Sequence, residues 1–217
     1  MIPRAARPFL GLVLFSLAGS LLSRLTHLDP GPIRPSASVL TLAAGVGAVF
    51  AAYVRSVPGA WTRLGLAFVL GASSEIVGLK TGVPFGRYVY TDAWWPTVRL
   101  PGIGPYPLLL PFAWLLMAGA SNLSVGRRGW TWPVLGGLLA AVVDLAMEPV
   151  MAGPLGYWRW LVPGPLPGGA PLANFLGWWA VATVAGFVLG VPKRRDDTPR
   201  WVLGGFVVLI VGLGLIG

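Results

Sequence analysis

The chain has 217 residues, 55% of them hydrophobic and only 11% charged, with a mean hydropathy of +0.74. A soluble domain carries about 25% charged residues, and a disordered chain is poor in apolar ones, so the composition leaves an integral membrane protein. The absence of Cys and the single His27 exclude disulfides, thiolate metal sites, cysteine nucleophiles and haem held by two histidines. The net charge of +9 would suggest nucleic acid in a soluble chain; here the basic residues are read as loop charges that orient the protein and meet anionic lipid, with no nucleic-acid partner.

Seven apolar runs follow in order: residues 9–23, 36–54, 64–79, 107–125, 133–150, 172–191 and 201–217. A spanning helix needs about 20 residues, so the chain is expected to be all-α, a polytopic bundle of about seven transmembrane helices. Residues 1–217 then form a single transmembrane domain. The first run is short and follows Arg4 and Arg7, and its small residues at 18–20 resemble a signal-peptide cleavage site. Six further spans favour an uncleaved first helix. The two longest connections, 80–106 and 151–171, are rich in Gly, Pro, Trp and Tyr, and glycine and proline punctuate them too often for a helix. A faint echo links them: Glu75 precedes FGRYVY, and Glu148 precedes GYWRW.

With seven spans, one side of the membrane receives ten Lys/Arg: Arg4, Arg7, Arg55, Arg63, Arg127, Arg128, Lys193, Arg194, Arg195 and Arg200. The other receives six: Arg24, Arg34, Lys80, Arg87, Arg99 and Arg159. Short basic loops stay in the cytoplasm, so the N-terminus is expected inside and the C-terminus outside.

Of the seven acidic residues, Asp29, Asp92, Asp196 and Asp197 fall in loops, while Glu75, Asp144 and Glu148 fall within apolar runs. An ionised side chain at the centre of a membrane helix costs about 2.5–3.5 kcal/mol on insertion scales, so such residues tend to face the bundle interior and mark a site. Glu75 lies twelve residues beyond Arg63, and Asp144 twelve beyond Trp132. Both are thus roughly 18 Å along their helices, at one level slightly past the midplane. Glu148 is one turn further on the face of Asp144. Pro149 follows it, so the helix is expected to kink or end at Glu148. Three acids in one dry pocket cannot all be ionised. At least one is expected to hold a proton at neutral pH, which suits general acid–base chemistry. The alternative is structural: Glu75 reaching out to Lys80, or Asp144 pairing with an arginine or with backbone.

Aromatic residues cluster near that level. Phe85, Tyr88 and Tyr90 follow the Glu75 helix; Tyr157, Trp158 and Trp160 follow the Glu148 helix; Asn174, Trp178 and Trp179 open the sixth span. Their faces can hold a cation or a flat apolar chain, though an interfacial belt is the competing reading. No acidic cluster suits magnesium pyrophosphate, and there is no P-loop, dinucleotide fingerprint or histidine cluster. The remaining chemistry needs only acid, base, water and an apolar cavity, and water addition to an alkene is one such reaction.

Three blocks, EIVGLKTGVPFGRYVY (75–90), DLAMEPVMAGPLGYWRW (144–160) and PLANFLGWW (171–179), together resemble the CruF-type membrane carotenoid hydratases, a carotenoid biosynthesis protein family. The shared pattern falls on Glu75, Thr81, Gly82, Phe85, Gly86, Tyr88 and Tyr90; on Asp144, Glu148, Pro149, Trp158 and Trp160; and on Asn174, Phe175, Gly177 and Trp178. It covers residues 64–191. The resemblance implies hydration of the terminal double bond of an acyclic carotenoid end, as in lycopene or γ-carotene, to a tertiary alcohol. It implies no metal and no organic cofactor, a bacterial or archaeal cell membrane, and other carotenoid-pathway enzymes as possible partners.

On that reading Asp144 or Glu148 protonates the alkene, aromatic faces stabilise the tertiary cation, and Glu75 activates water, with the roles exchangeable. Asn174 or Tyr88 would hold the water, while Phe85, Tyr90, Trp158, Trp160 and Trp178 would bind substrate. Two other readings use the same acids. A proton-coupled transporter would call for an inverted repeat and interrupted helices. An isoprenoid isomerase or cyclase would use the same acid without capturing water.

Overall fold

The computed structural model describes all residues except Pro30, Pro32, residues 126–128, Val191, Arg194 and Gly217, and only the backbone of Trp130. Arg127, Arg128 and Arg194, counted above for orientation, therefore lie outside the described residues, as do the expected span ends at Val191 and Gly217.

Among the described residues the fold has seven α-helices: α1 Arg7–Thr26, α2 Ile33–Ser56, α3 Ala60–Thr81, α4 Leu110–Val125, α5 Trp132–Met151, α6 Leu172–Leu189 and α7 Thr198–Ile216. Six are long and apolar enough to cross a membrane; α4, with 16 residues, is shorter. This is the expected all-α membrane bundle. Proline stands in the first turn of α1 (Pro8) and of α5 (Pro133), where the missing N–H is not needed. Gly82 ends α3 with φ of 80°, its N–H bonded 2.7 Å from the Gly78 carbonyl.

Helices α4 and α5 form the interior, while α1 buries only Phe9 and Val13. Between membrane helices, small residues allow close packing. A Cβ on Gly137 would lie 2.7 Å from the Trp179 carbonyl oxygen, which is why α5 and α6 pack so closely. The Asn122 amide in α4 donates to the Ala118 carbonyl at 2.8 Å and to the Ala182 carbonyl of α6 at 3.4 Å. The far end of α6 is tied by the Arg63 guanidinium, 2.8 Å from the Val188 carbonyl, and by the Tyr53 hydroxyl on the Leu189 carbonyl.

As expected, the long connections form no α-helix beyond the ends of α3 and α5; they carry β1 (Tyr88–Tyr90), β2 (Thr97–Leu100), β3 (Gly104–Pro107) and β4 (Trp158–Trp160). Strands β2 and β3 form an antiparallel hairpin, whereas β1 pairs with the distant β4. The fourth run does not start a helix at Pro107, because Pro107 closes β3 and α4 begins at Leu110. Of the two outcomes expected at Glu148, a kink or an end, the end does not occur. Helix α5 continues through Pro149 to Met151, and the Ala152 N–H bonds the Glu148 carbonyl at 3.0 Å. Pro149 removes only the single donor that would have reached back one turn, and later N–H groups carry the helix on.

Candidate active site

The β1–β4 ribbon determines the site. Its register pairs Tyr88 with Trp160, Val89 with Arg159 and Tyr90 with Trp158. Side chains alternate across a strand, so Tyr88, Tyr90 and Trp158 turn inward and are buried, Trp160 is half-buried beside them, and Arg159 is exposed. The ribbon is extended by bonds from Thr91 N–H to the Tyr157 carbonyl (3.0 Å) and from Leu161 N–H to the Arg87 carbonyl (2.9 Å). Four aromatic rings thus face the ends of α3 and α5, which bring the acids.

Glu75 is 3% exposed and accepts three hydrogen bonds. The hydroxyls of Tyr88 and Tyr90 donate to its Oε2 at 2.5 and 3.0 Å, and Trp114 Nε1 donates to its Oε1 at 2.8 Å. Burial, then the neighbouring Glu75 charge, holds both tyrosine hydroxyls well above their usual range. They therefore remain protonated donors. Glu75 makes no contact of the outward kind considered with Lys80.

Glu148 is 1% exposed and is held in the same manner. Trp158 Nε1 and Trp160 Nε1 donate to its Oε2 at 3.1 and 3.0 Å, and the Asn174 amide donates to its Oε1 at 3.0 Å. The same amide nitrogen lies 2.7 Å from Oδ2 of Asp144, also 1% exposed. No arginine pairs with Asp144 among the described residues.

The remaining aromatics knit the two carboxylate cradles together. Trp114 stacks on Trp178 with centroids 4.0 Å apart and planes at 15°. Phe85 lies against Trp114 at 5.8 Å and edge-on to Tyr88 at 6.4 Å. It fits because α3 and α6 present Gly78 and Gly177, where a Cβ would come within 2.8 and 2.9 Å of its ring. Tyr157 is stacked on Trp94 at 5.3 Å, with its hydroxyl 3.1 Å from that of Ser38. Trp179 turns away and donates to the Val134 carbonyl at 3.1 Å.

All three acids, with Phe85, Tyr88, Tyr90, Trp158, Trp160, Asn174 and Trp178, line one cavity of about 760 Å³. That volume is within the range of about 300–1,000 Å³ for sites that enclose one small-molecule ligand. Away from the acids its walls are mostly apolar, from α2, α7 and the second half of α1, with Arg24, Asp29 and Arg34 also in the lining. Phe15, Leu22, Leu28 and Ile33 line it and are each more than half exposed, which locates the mouth between α1 and the start of α2.

Sequence reasoning brought the ten site residues to one region but missed Trp114, Trp94 and the α1–α2 wall. Trp114 carried one usable signal: an indole N–H inside an apolar run needs a buried acceptor. Chemically, the arrangement combines three carboxyl groups, a shell of neutral donors and π faces in an enclosed apolar space. It can move a proton and stabilise a cation. Among the described residues no group of His, Asp and Glu is arranged to hold a metal ion.

A family model described as "Carotenoid biosynthesis protein" matches residues 37–213, from within α2 to within α7, and includes the three acids and the aromatic and amide residues around them. No curated protein and no solved structure matches the chain. The chain belongs to the carotenoid biosynthesis protein family.

Proposed function

We propose, with membership of that family as the premise, that the protein is a cofactor-independent hydratase. It would add water across the terminal double bond of an acyclic carotenoid end to give a tertiary alcohol. The observation that carries this reading is the pairing of a mostly apolar cavity with three buried carboxyl groups in its lining. The cavity suits an uncharged polyene end. The carboxyl groups suit the two proton transfers that hydration requires. A carboxylic acid protonates the CH carbon of the double bond, leaving a tertiary cation on the dimethyl carbon. Carboxylate charge and the faces of Trp114, Trp178 and the ribbon aromatics stabilise it; a desolvated π face contributes about 2 kcal/mol. Water then bonds to the cation and gives up a proton to a carboxylate. Glu75, Asp144 and Glu148 together supply the proton and the negative charge the reaction needs, and Phe85, Tyr88, Tyr90, Trp158, Trp160, Asn174 and Trp178 shape the cavity. The lysine and arginine distribution supports an N-terminus in the cytoplasm.

The test is product mass. The chain is expressed in a host that accumulates lycopene or γ-carotene, and the pigments are separated and weighed by mass spectrometry. A new pigment heavier by one water, with an unchanged polyene spectrum, is expected. A new pigment of unchanged mass would assign the acids to isomerisation or cyclisation instead. An unchanged profile from well-expressed protein would remove the enzymatic reading for these substrates and direct attention to proton flux.

A further inference from the structure

The segments α3–β1–α4 and α5–β4–α6 are built alike. In each, a helix brings a glutamate, and the strand after it sends two aromatic donors, at i and i+2, to that glutamate's Oε2. The next helix then supplies one donor to its Oε1, from Trp114 in the first segment and Asn174 in the second. The antiparallel register is symmetric about Val89 and Arg159. Trp114 and Trp178, from the matching helices, stack face to face at 4.0 Å. These are the relations of two halves about a local two-fold axis. Glu75 corresponds to Glu148, Tyr88 to Trp158, Tyr90 to Trp160, and Trp114 to Trp178.

The halves differ where the chemistry is. Four residues before the glutamates stand Gly71 and Asp144; four before the stacked tryptophans stand Leu110 and Asn174. In the second half these two differences touch: Asn174 donates to Asp144 at 2.7 Å. In the first half the space beside Gly71 is filled by the Trp114 side chain, 2.7 Å from where a Cβ would be. Hydrogen-bond accounting separates the acids further. An ionised carboxylate only accepts, at about four sites. Glu75 and Glu148 each receive three donated bonds, whereas Asp144 receives one. Its Oδ1 has no donor among the described residues, and Asp144 lines the cavity.

We infer that the site is a duplicated carboxylate cradle in which Asp144 delivers the proton and Glu75 and Glu148 are fixed counter-anions. This rests on the hydratase reading and assigns its roles. The Asp144 O–H bond breaks as the alkene π pair forms a C–H bond at the CH carbon. The tertiary cation forms between the two glutamates. Water's oxygen then bonds to the cation, and a water proton returns to the Asp144 carboxylate. One water is added and the acid is restored.

The test compares Asp144→Asn, Glu75→Gln and Glu148→Gln with the parent chain for hydrated pigment per folded protein in the pigment-producing host. A general acid contributes about 10²–10⁴-fold, so Asp144→Asn is expected to lose at least about 100-fold. Each glutamine variant should keep at least about tenfold more activity than Asp144→Asn. Asp144→Gly, which copies the residue of the first half, should regain turnover when formate is added to membranes, a readout that a packing role would not move. If the parent chain makes no hydrated pigment, the hydratase reading falls and this assignment with it. If the parent hydrates but folded Asp144→Asn matches either glutamine variant, only the assignment falls. Folded Asp144→Gly that stays inactive with formate overturns it equally.

Discussion

Gly71→Ala tests whether the site depends on the close approach of α3 and α4. A Cβ at Gly71 would lie 2.7 Å from Trp114 Cβ and 2.8 Å from its Cγ, while ordinary contact begins near 3.4 Å. Trp114 would have to retreat by roughly 0.7 Å, and both atoms belong to the stiff base of its side chain. Overpacking of that kind costs about 1–3 kcal/mol. Trp114 also donates to Glu75 at 2.8 Å and stacks on Trp178 at 4.0 Å, so the shift reaches both cradles. A misplacement near 1 Å can reduce a rate by about 100-fold; the smaller shift here is expected to lower turnover about tenfold and to lower the melting temperature in detergent. The control is Gly65→Ala in the same helix, where nothing lies within 4 Å of the new Cβ. It should be neutral or stabilise by about 0.5–1 kcal/mol, since glycine is the weaker helix former. Thermal unfolding followed by circular dichroism, with pigment analysis of the same membranes, reads both. Parental stability and turnover in Gly71→Ala would refute the reasoning.

The other predictions use single groups. Tyr88→Phe removes a donor to Glu75 and should destabilise by about 1.5–3 kcal/mol, the range for a bond to a charged group. Tyr106→Phe removes a buried hydroxyl with no partner among the described residues and should leave stability unchanged or raised; a loss in the same unfolding assay would show an unseen partner. Trp158→Phe should retain more activity than Trp158→Ala if the ring face matters, and equal losses would assign the residue to packing. Asp196 is opposed by partial burial, but bonds from Thr198 and Arg55 outweigh it and hold its carboxyl below the usual range. A depressed carboxyl adds stability above its unfolded value of about 3.9, lost as pH falls through the folded value. Asp196→Ala should therefore cost up to about 1 kcal/mol at neutral pH and less at pH 3, and a penalty that does not shrink with acid would contradict this.

The bundle was legible because hydrocarbon imposes a length: each apolar run near 20 residues corresponds to one helix, within a few residues at its ends. The acids were legible because charge in an apolar run has few innocent explanations. The ribbon was not. Its strands have three residues each, and 67 residues separate Tyr90 from Trp158. The aromatic alternation in YVY and WRW was visible, but no local rule says which strand such a segment joins. Trp114 was missed for a similar reason, since its acceptor is 39 residues away. The proline after Glu148 misled because a turn-breaking rule was applied to a residue whose own carbonyl remained bonded. The echo between the two loop segments, faint as a string, becomes a repeated set of bonds once the strands pair.

The cavity opens between α1 and the start of α2, where the apolar side chains of Phe15, Leu22, Leu28 and Ile33 share the lining with Arg24, Asp29 and Arg34. On the proposed reaction the alkene comes from the bilayer, where so apolar a substrate dissolves. The relevant substrate concentration is then moles per area of bilayer, and an apparent KM quoted per volume would change with the amount of membrane in the tube. A detergent tail able to thread the same opening becomes a competitive ligand, so purification medium and inhibitor are one variable for this protein.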